Sequence, residues 1–210
     1  MSLLRVCSRV QLPVQHNLRF LAAGNSRLFY SVLSNSKIYF YDNDYSVDFR
    51  EPHESGRKAD VSDLKKIGVE YYHMPKLEDV NKFAKNRAYK NRDTIELNLK
   101  TFKNDEKALV SQLNIFFDEH LHEDEEIRYC LEGDGYFDFR SNKNDWIRCK
   151  VEKGDFLVVP AGIYHRFTLT SSNHIKALRL FKDQPKWLAI ERTKGDLTPI
   201  RKQYLETFNL

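Results

Sequence analysis

The fold prediction depends on the sequence HLHEDEE at residues 120–126, taken together with GDFLVVPAGIYH at residues 154–165. If the first segment is a β-strand, its side chains alternate between two faces, and His120, His122 and Glu126 share one of them. Buried polar groups without partners are costly, so two imidazoles and a carboxylate inside a barrel require a compensating ion. Neutral imidazole nitrogens and a carboxylate oxygen form a donor set suited to first-row divalent metals.

A third imidazole can come from the second segment. A buried strand at residues 156–159 runs into a turn at Pro160 and Gly162, and His165 opens the next strand. Chain reversal at that turn can bring His165 across the barrel to the first cluster. Three histidines and one glutamate fill four positions of an octahedron and leave two for a bidentate oxygen substrate. We therefore predict one ion per chain, with the ligands His120, His122, Glu126 and His165.

Neighbouring polar residues have simpler explanations. Acid-rich His-x-His runs also occur on solvated surfaces, and Asp124 shares the ligand face, so alternation alone predicts too many ligands. Cys130 also shares that face, but we predict a small core residue there. The other histidines, which we predict to be structural or exposed, are His16, His53, His73 and His174.

The front half of the chain predicts helices that flank a β-structure. Apolar residues at helical spacing predict helices at residues 76–89 and 105–117. A Ser62 cap predicts a short helix at residues 61–67. The aromatic and β-branched run at residues 38–41 predicts a strand.

Strand and turn signals dominate the second half of the chain. We predict turns at residues 133–135 and 141–145, and a strand at residues 175–181. Short strands after a helical front half indicate a mainly β fold, a β-barrel with helices packed outside it. We predict one domain over residues 37–210.

Residues 1–36 form a basic arm that we exclude from the fold prediction. The arm contains four Arg, no Lys and no acidic residue, which is typical of a mitochondrial transit peptide. A disordered extension and an error in the gene model are the alternatives. Subtracting these four from the 34 basic residues leaves 30, which balances the 30 acidic residues. The neutral domain therefore does not predict nucleic-acid binding.

Composition excludes two further classes of protein. No apolar run approaches the length of a membrane-spanning helix, so we predict no transmembrane segment. The three cysteines, Cys7, Cys130 and Cys149, are an odd number without C-x-x-C spacing, which argues against a disulfide framework.

The two histidine segments resemble the two cupin motifs. Asn114 stands where the first motif begins with glycine, and Leu169 stands where the second ends with asparagine; neither position is a ligand. The resemblance implies a cupin-type β-barrel, also described as a double-stranded β-helix. The matching residues are His120, His122, Glu126 and Gly133 in the first motif and Gly154, Pro160, Gly162 and His165 in the second.

A closer resemblance covers nearly all of residues 38–205. The segments EHLHEDEEIRYCLEGDGYFDFR, PAGIYHRFTLT and IKALRLFKDQPKW, with REPHESG and YKNRD in the front half, resemble acireductone dioxygenase. The resemblance implies the same four metal ligands. It also implies that Arg128 and Arg179 hold the substrate anion during catalysis, while Phe116 and Phe167 shape an apolar slot for its tail. Plain core packing is the alternative role of the two phenylalanines.

The resemblance implies a reaction of methionine salvage. The family cleaves the acireductone 1,2-dihydroxy-3-keto-5-methylthiopentene with O2. With Fe2+ the products are 4-methylthio-2-oxobutanoate and formate, and with Ni2+ they are 3-methylthiopropanoate, formate and carbon monoxide. We therefore expect Fe2+ or Ni2+ as cofactor, with the small-molecule acireductone and O2 as partners. We also expect a monomer in the cytoplasm and nucleus, or in the mitochondrion if residues 1–36 are a transit peptide.

Two other functions are compatible with a cupin metal site. One is a non-catalytic metal-binding cupin that acts as a regulatory or binding protein, as pirin-like cupins do. The other is a zinc-dependent isomerase on the same barrel. The complete ligand set and the retained Arg128 favour catalysis on an anionic substrate over both.

Overall fold

The computed structural model describes residues 37–183 and 188–210. The predicted arm at residues 1–36 and the end of the IKALRLFKDQPKW segment, at residues 184–187, lie outside the described residues. The strands are β1 (Ile38–Tyr41), β2 (Glu54–Lys58), β3 (Glu70–His73), β4 (Asn91–Asn98), β5 (His120–Leu121), β6 (Glu126–Arg140), β7 (Trp146–Glu152), β8 (Asp155–Val159), β9 (His165–Leu169), β10 (His174–Phe181) and β11 (Ile190–Glu191). The helices are α1 (Val61–Lys66), α2 (Leu77–Asn86), α3 (Glu106–Phe117), α4 (Arg192–Gly195) and α5 (Pro199–Phe208).

The start of α1 depends on a capping box. The Asp60 carboxylate accepts hydrogen bonds from the backbone N–H groups of Ser62 and Asp63, and the Asp63 side chain accepts one from the Asp60 backbone N–H. The sequence predicted Ser62 as the cap, and that prediction was wrong by two residues. Both residue types cap helices, so composition alone does not decide between them.

The two longer predicted helices are present. The helix α2 is shorter than residues 76–89, because Ala88 has a φ of 58°, a left-handed conformation that cannot continue a helix. The helix α3 matches its predicted range within one residue and is capped by Asp105, whose side chain accepts from the Ala108 N–H.

The long strand β6 joins two sheets. Its first half pairs with β8 and β10, and β3 and β4 extend this first sheet. Its second half pairs with β7 and β9, and the second sheet continues to β1, β2, β5 and β11. The main hydrophobic core contains residues of both sheets, among them Leu157, Ile175 and Phe137. The core therefore lies between the sheets.

The predicted turn at residues 133–135 was wrong, because these residues lie inside β6. Gly133 has a φ of +73°, and the register with β10 shifts beside it. A Cβ atom there would lie 2.1 Å from the His174 carbonyl oxygen, so this position requires glycine. At this glycine β6 passes from the first sheet to the second, since Gly133 pairs with β10 and Asp134 pairs with β7. The turn at residues 141–145, by contrast, connects β6 and β7 as predicted.

A second core packs α2 against the outer face of the first sheet. Val80 and Ala84 of the helix meet Phe156, Val158 and other outward-facing residues of β6, β8 and β10. The mainly β fold with flanking helices is therefore confirmed, and its architecture is the cupin-type β-barrel. No helix within residues 37–183 and 188–210 is long and apolar enough to cross a membrane.

Candidate metal centre

Three histidines converge from two adjacent strands. His120 of β5 lies directly opposite His165 of β9, and His122 follows β5. The ring centroid of His120 lies 5.0 Å from that of His122 and 4.6 Å from that of His165. One possible ligand atom from each ring lies within 4.8 Å of the others. The three imidazoles thus form a compact group that could hold one ion.

Main-chain carbonyl groups orient all three imidazoles. The Nδ1 atoms lie 2.7, 2.8 and 3.1 Å from carbonyl oxygens. Each Nδ1 then donates a hydrogen bond to its carbonyl oxygen, so Nε2 is the ring atom available to a metal, which is the usual outer-shell arrangement of metal-binding histidines. The accepting carbonyls belong to Asp118 for His120, to Leu188 for His122 and to Ile163 for His165.

Glu126 supplies the negative charge of the site. Its Oε2 atom lies 3.2 Å from Nε2 of both His122 and His165, and its Oε1 atom lies 3.1 Å from Nη2 of Arg128. Burial alone would raise the pKa of Glu126, but Arg128 and the two imidazoles hold it well below its usual value. Glu126 is therefore a carboxylate at neutral pH and fits an anionic oxygen ligand.

The imidazole pKa values follow from burial and from this carboxylate. Burial, together with the neighbouring His165, lowers the pKa of His120 to about 4, so the ring is neutral at pH 7. Burial also acts to lower the pKa of His122, but the hydrogen bond that its ring donates to Glu126 and the charge of that carboxylate outweigh burial and raise the pKa. Metal binding to an imidazole displaces its proton, so an ion would compete with the proton on His122. The donor set therefore fits a divalent metal.

The strand argument used to find these residues is only partly right. The strand β5 ends at Leu121, and the chain bends before β6 begins at Glu126. The candidate ligands still meet because β9 pairs with both β5 and β6. Asp124, which shares their alternation, lies exposed in the bend. Pairing of neighbouring strands, rather than alternation along one strand, brings the candidate ligands together.

One cavity contains all eight residues singled out from the sequence. Its volume is about 270 Å³, and it lies between the two sheets. The four candidate ligands form part of its wall, as do Arg128, Arg179, Phe116 and Phe167. Most of the remaining wall is apolar, with Ile95, Leu97, Phe137, Val151, Leu157, Ile175 and Ala177. The cavity therefore combines a polar, metal-binding region with an apolar one.

The register of β6 and β10 orders the cavity wall. Arg179 lies directly opposite Arg128, and Ala177 lies opposite Cys130. Cys130 is a buried core residue, as predicted, and its side chain also lines the cavity. Along β6, starting from Glu126, the side chains that line the cavity change from charged to small and apolar.

Sequence reasoning missed Asp93 of β4. Its two carboxylate oxygens each lie 2.7 Å from a guanidinium nitrogen of Arg179, Nε and Nη2. Asp93 is the last residue of the YKNRD segment, which carried the family resemblance without any assigned role.

Two of the remaining histidines are structural, as predicted. His53 is buried, and its ring nitrogens lie 2.9 Å from the Asp42 carboxylate and from the Asp48 carbonyl oxygen. The His73 ring lies 2.9 Å from the buried Asp155 carboxylate. Neither ring lines the cavity. His16 lies outside the described residues.

Comparison with known proteins identifies the family. The sequence model of the ARD/ARD' family matches residues 37–189. The chain is 53% identical over 176 residues to the acireductone dioxygenase of Saccharomyces cerevisiae, which covers 82% of this chain and 98% of the yeast protein. It is 49% identical over 173 residues to the acireductone dioxygenase of Neurospora crassa, covering 82% of this chain and 95% of the relative.

A solved structure supports the fold. Acireductone dioxygenase from Bacillus anthracis, solved with a cadmium ion in its active centre, superposes with a TM-score of 0.57 at 22% identity. The match covers 74% of this chain and 97% of the bacterial one. At this identity the likeness shows the shared fold, while the sequence matches show the family. The chain therefore belongs to the ARD/ARD' family.

Proposed function

We propose that this chain cleaves the acireductone 1,2-dihydroxy-3-keto-5-methylthiopentene with O2, as a dioxygenase of methionine salvage. The relatives named acireductone dioxygenase support this reaction. The structural observation that carries the proposal is that one cavity is lined by the three histidines, Glu126, the two arginines and the two phenylalanines. A metal-binding group beside cationic and apolar walls suits a small anion with an apolar tail.

The proposed cofactor is one Fe2+ or Ni2+ ion per chain, held by His120, His122, Glu126 and His165. The mixed nitrogen and oxygen donors of these residues suit first-row metals. The ion, when bound, supplies Lewis-acid polarisation of the substrate oxygens and a template for their orientation. For this chain we propose 4-methylthio-2-oxobutanoate and formate as products of the Fe2+ form. The proposed products of the Ni2+ form are 3-methylthiopropanoate, formate and carbon monoxide.

The two arginines are proposed to hold the ionised enediol. Arg128 and Arg179 face each other across β6 and β10, and both line the cavity. Their guanidinium groups would donate charge-assisted hydrogen bonds to the oxygens of the anion and neutralise its charge. Arg128 lies 3.1 Å from Glu126, so it places the substrate next to the metal ligands. Binding and orientation of the anion are therefore the work of these two side chains.

The apolar part of the cavity is proposed to bind the methylthio tail. The Phe167 ring packs against Phe137 with centroids 4.8 Å apart, and Phe116 lies on α3 at the same cavity. Burial of the tail against these rings would exclude water from the reacting oxygens, which strengthens their contacts with the arginines. Substrate contact by both phenylalanines is part of the proposal.

Metal-specific products provide the test of this function. The protein, stripped of metal by a chelator, is reloaded anaerobically with Fe2+ or Ni2+ and supplied with the acireductone and O2. We expect the keto acid from the Fe2+ form and carbon monoxide from the Ni2+ form. Metal binding without turnover would support the non-catalytic cupin instead. Substrate conversion without consumption of O2 would support the isomerase.

The oligomeric state and location are proposed from the resemblance alone. We propose a monomer in the cytoplasm and nucleus, with the mitochondrion as the alternative if residues 1–36 direct import. Light scattering on the purified protein measures its mass in solution. A fluorescent reporter fused to residues 1–36 tests targeting, because a purely diffuse signal would reject the mitochondrial alternative.

A further inference from the structure

A row of four charged side chains crosses the first sheet beside the cavity. Asp93 of β4 lies opposite Arg179 of β10, which in turn lies opposite Arg128 of β6. Glu126 lies two residues before Arg128 and pairs with it. Along the row the signs are therefore negative, positive, positive and negative. Like charges on directly opposed residues repel. The flanking carboxylates offset the repulsion between the two arginines and allow them to lie side by side.

The contact between Asp93 and Arg179 has the geometry of an orienting pair. Both oxygens of Asp93 are used, at 2.7 Å to Nε and 2.7 Å to Nη2. Two parallel hydrogen bonds determine the plane of the guanidinium as well as its distance. The Asp93 side chain is 42% exposed and that of Arg179 is 18% exposed. The carboxylate thus binds the outer edge of a guanidinium group that faces the cavity.

We propose that Asp93 is a positioning residue, which holds Arg179 in the orientation that receives the substrate anion. Asp93 takes the Nε–Nη2 edge of the guanidinium, so Nη1 lies on the side of Cζ away from Asp93. Without the pair, repulsion from Arg128 would favour other rotamers of Arg179. This inference rests on the proposed function, because it requires Arg179 to contact the acireductone. It assigns a role to the last residue of the YKNRD segment.

A matched ion pair elsewhere in the chain provides the control. Asp48 binds Arg50 through the same two nitrogens, at 3.0 Å and 2.7 Å, and its side chain is also 42% exposed. Neither residue lines the cavity. The substitution Asp48→Asn therefore removes a similar pair with the same change of charge. A merely structural role for Asp93 predicts similar effects of the two substitutions.

The kinetic test compares Asp93→Asn with Asp48→Asn in the metal-loaded enzyme. We expect Asp93→Asn to lower kcat/KM for the acireductone about tenfold, mainly through KM, because Arg179 contacts the anion before and during reaction. Metal content should equal that of the wild type. Asp48→Asn should leave kcat/KM within about twofold, the spread expected of a substitution that removes no substrate contact. Asp93→Glu, which keeps the charge, should recover part of the lost kcat/KM. It replaces Asp93→Asn as the test variant if Asp93→Asn folds poorly.

A double-mutant cycle shows whether Asp93 acts through Arg179. In an Arg179→Ala background, Asp93→Asn should lower kcat/KM no further. The Nε–Hε resonance of Arg179, assigned with Arg179→Lys, gives a readout independent of activity. It should be protected from exchange in the wild type and lost in Asp93→Asn.

Separate outcomes distinguish failure of the inference from failure of the proposed function. Full activity of Asp93→Asn beside an impaired Arg179→Ala would overturn the inference alone. A full additional loss in the Arg179→Ala background would do the same. An inactive wild type, or a fully active Arg179→Ala, would overturn the role of the cavity and the inference with it.

Discussion

Gly135 of β6 provides a steric test of the substrate cavity. A Cβ atom at this position would lie 2.8 Å from Cε2 and 2.9 Å from Cζ of Phe167, and 2.8 Å from the Thr168 carbonyl oxygen. The ring can rotate away, but the carbonyl belongs to β9, which pairs with β6 along this stretch. We therefore expect Gly135→Ala to displace Phe167 into the cavity and to strain the pairing of the two strands.

The destabilisation expected of Gly135→Ala can be expressed as a change in melting temperature. Adding a methyl group to a well-packed site costs about 1–3 kcal/mol, and each kcal/mol lowers the melting temperature of a domain of this size by about 2–4 °C. The expected decrease is therefore roughly 2–12 °C by differential scanning calorimetry of the metal-loaded protein. The displaced ring should also raise KM for the acireductone, because it occupies part of a cavity of about 270 Å³.

Two results would refute this reasoning. An unchanged melting temperature would mean that β6 and β9 separate without cost. A lower melting temperature with unchanged KM would mean that Phe167 does not border the bound tail. The double variant Gly135→Ala with Phe167→Leu serves as the control, since it removes the ring contact and keeps the contact with the Thr168 carbonyl. It should recover part of the stability.

Three further predictions concern single side chains. His165→Ala should abolish metal binding and turnover, as measured by metal analysis and product formation, because it removes one of three imidazoles; a variant that retains both would exclude this centre. Arg128→Ala should lower activity about tenfold or more while metal content stays nearly intact, since charge-assisted hydrogen bonds contribute about 1.5–3 kcal/mol; equal loss of metal and activity would show that Arg128 supports the ligands instead. Burial raises the pKa of Cys130 to about 12, so the thiol should resist iodoacetamide at pH 8 in the folded protein and react after unfolding. Because the folded state favours the protonated thiol, this contribution to stability is present below the ordinary pKa of a free thiol and is lost as the pH rises toward 12; rapid labelling of native protein at pH 8 would contradict the burial argument.

Local patterns were most reliable where a single element determines them. The spacing of apolar residues predicted α3 within one residue, because a helix that buries one face must repeat them at that spacing. The same reasoning overextended α2, since the left-handed conformation of Ala88 is not visible in apolar spacing. Glycine was the least specific signal. It predicted a turn at residues 133–135, where a continuous strand instead passes from one sheet to the other at Gly133.

The sequence predicted the residue types of the candidate centre, but it did not predict how the fold brings them together. Histidines and a glutamate at positions that should be apolar are expensive to bury. Together with the second segment, in which His165 follows a Pro/Gly turn, they predicted a metal and His165 as the third imidazole. Strand alternation also included Asp124, which the structure leaves exposed.

The Leu188 carbonyl group that orients His122, and the carboxylate of Asp93 that holds Arg179, come from segments far along the chain from the residues they contact. Their positions depend on which strands pair and in which register. That register is set by long-range pairing of strands, which no local stretch of sequence contains.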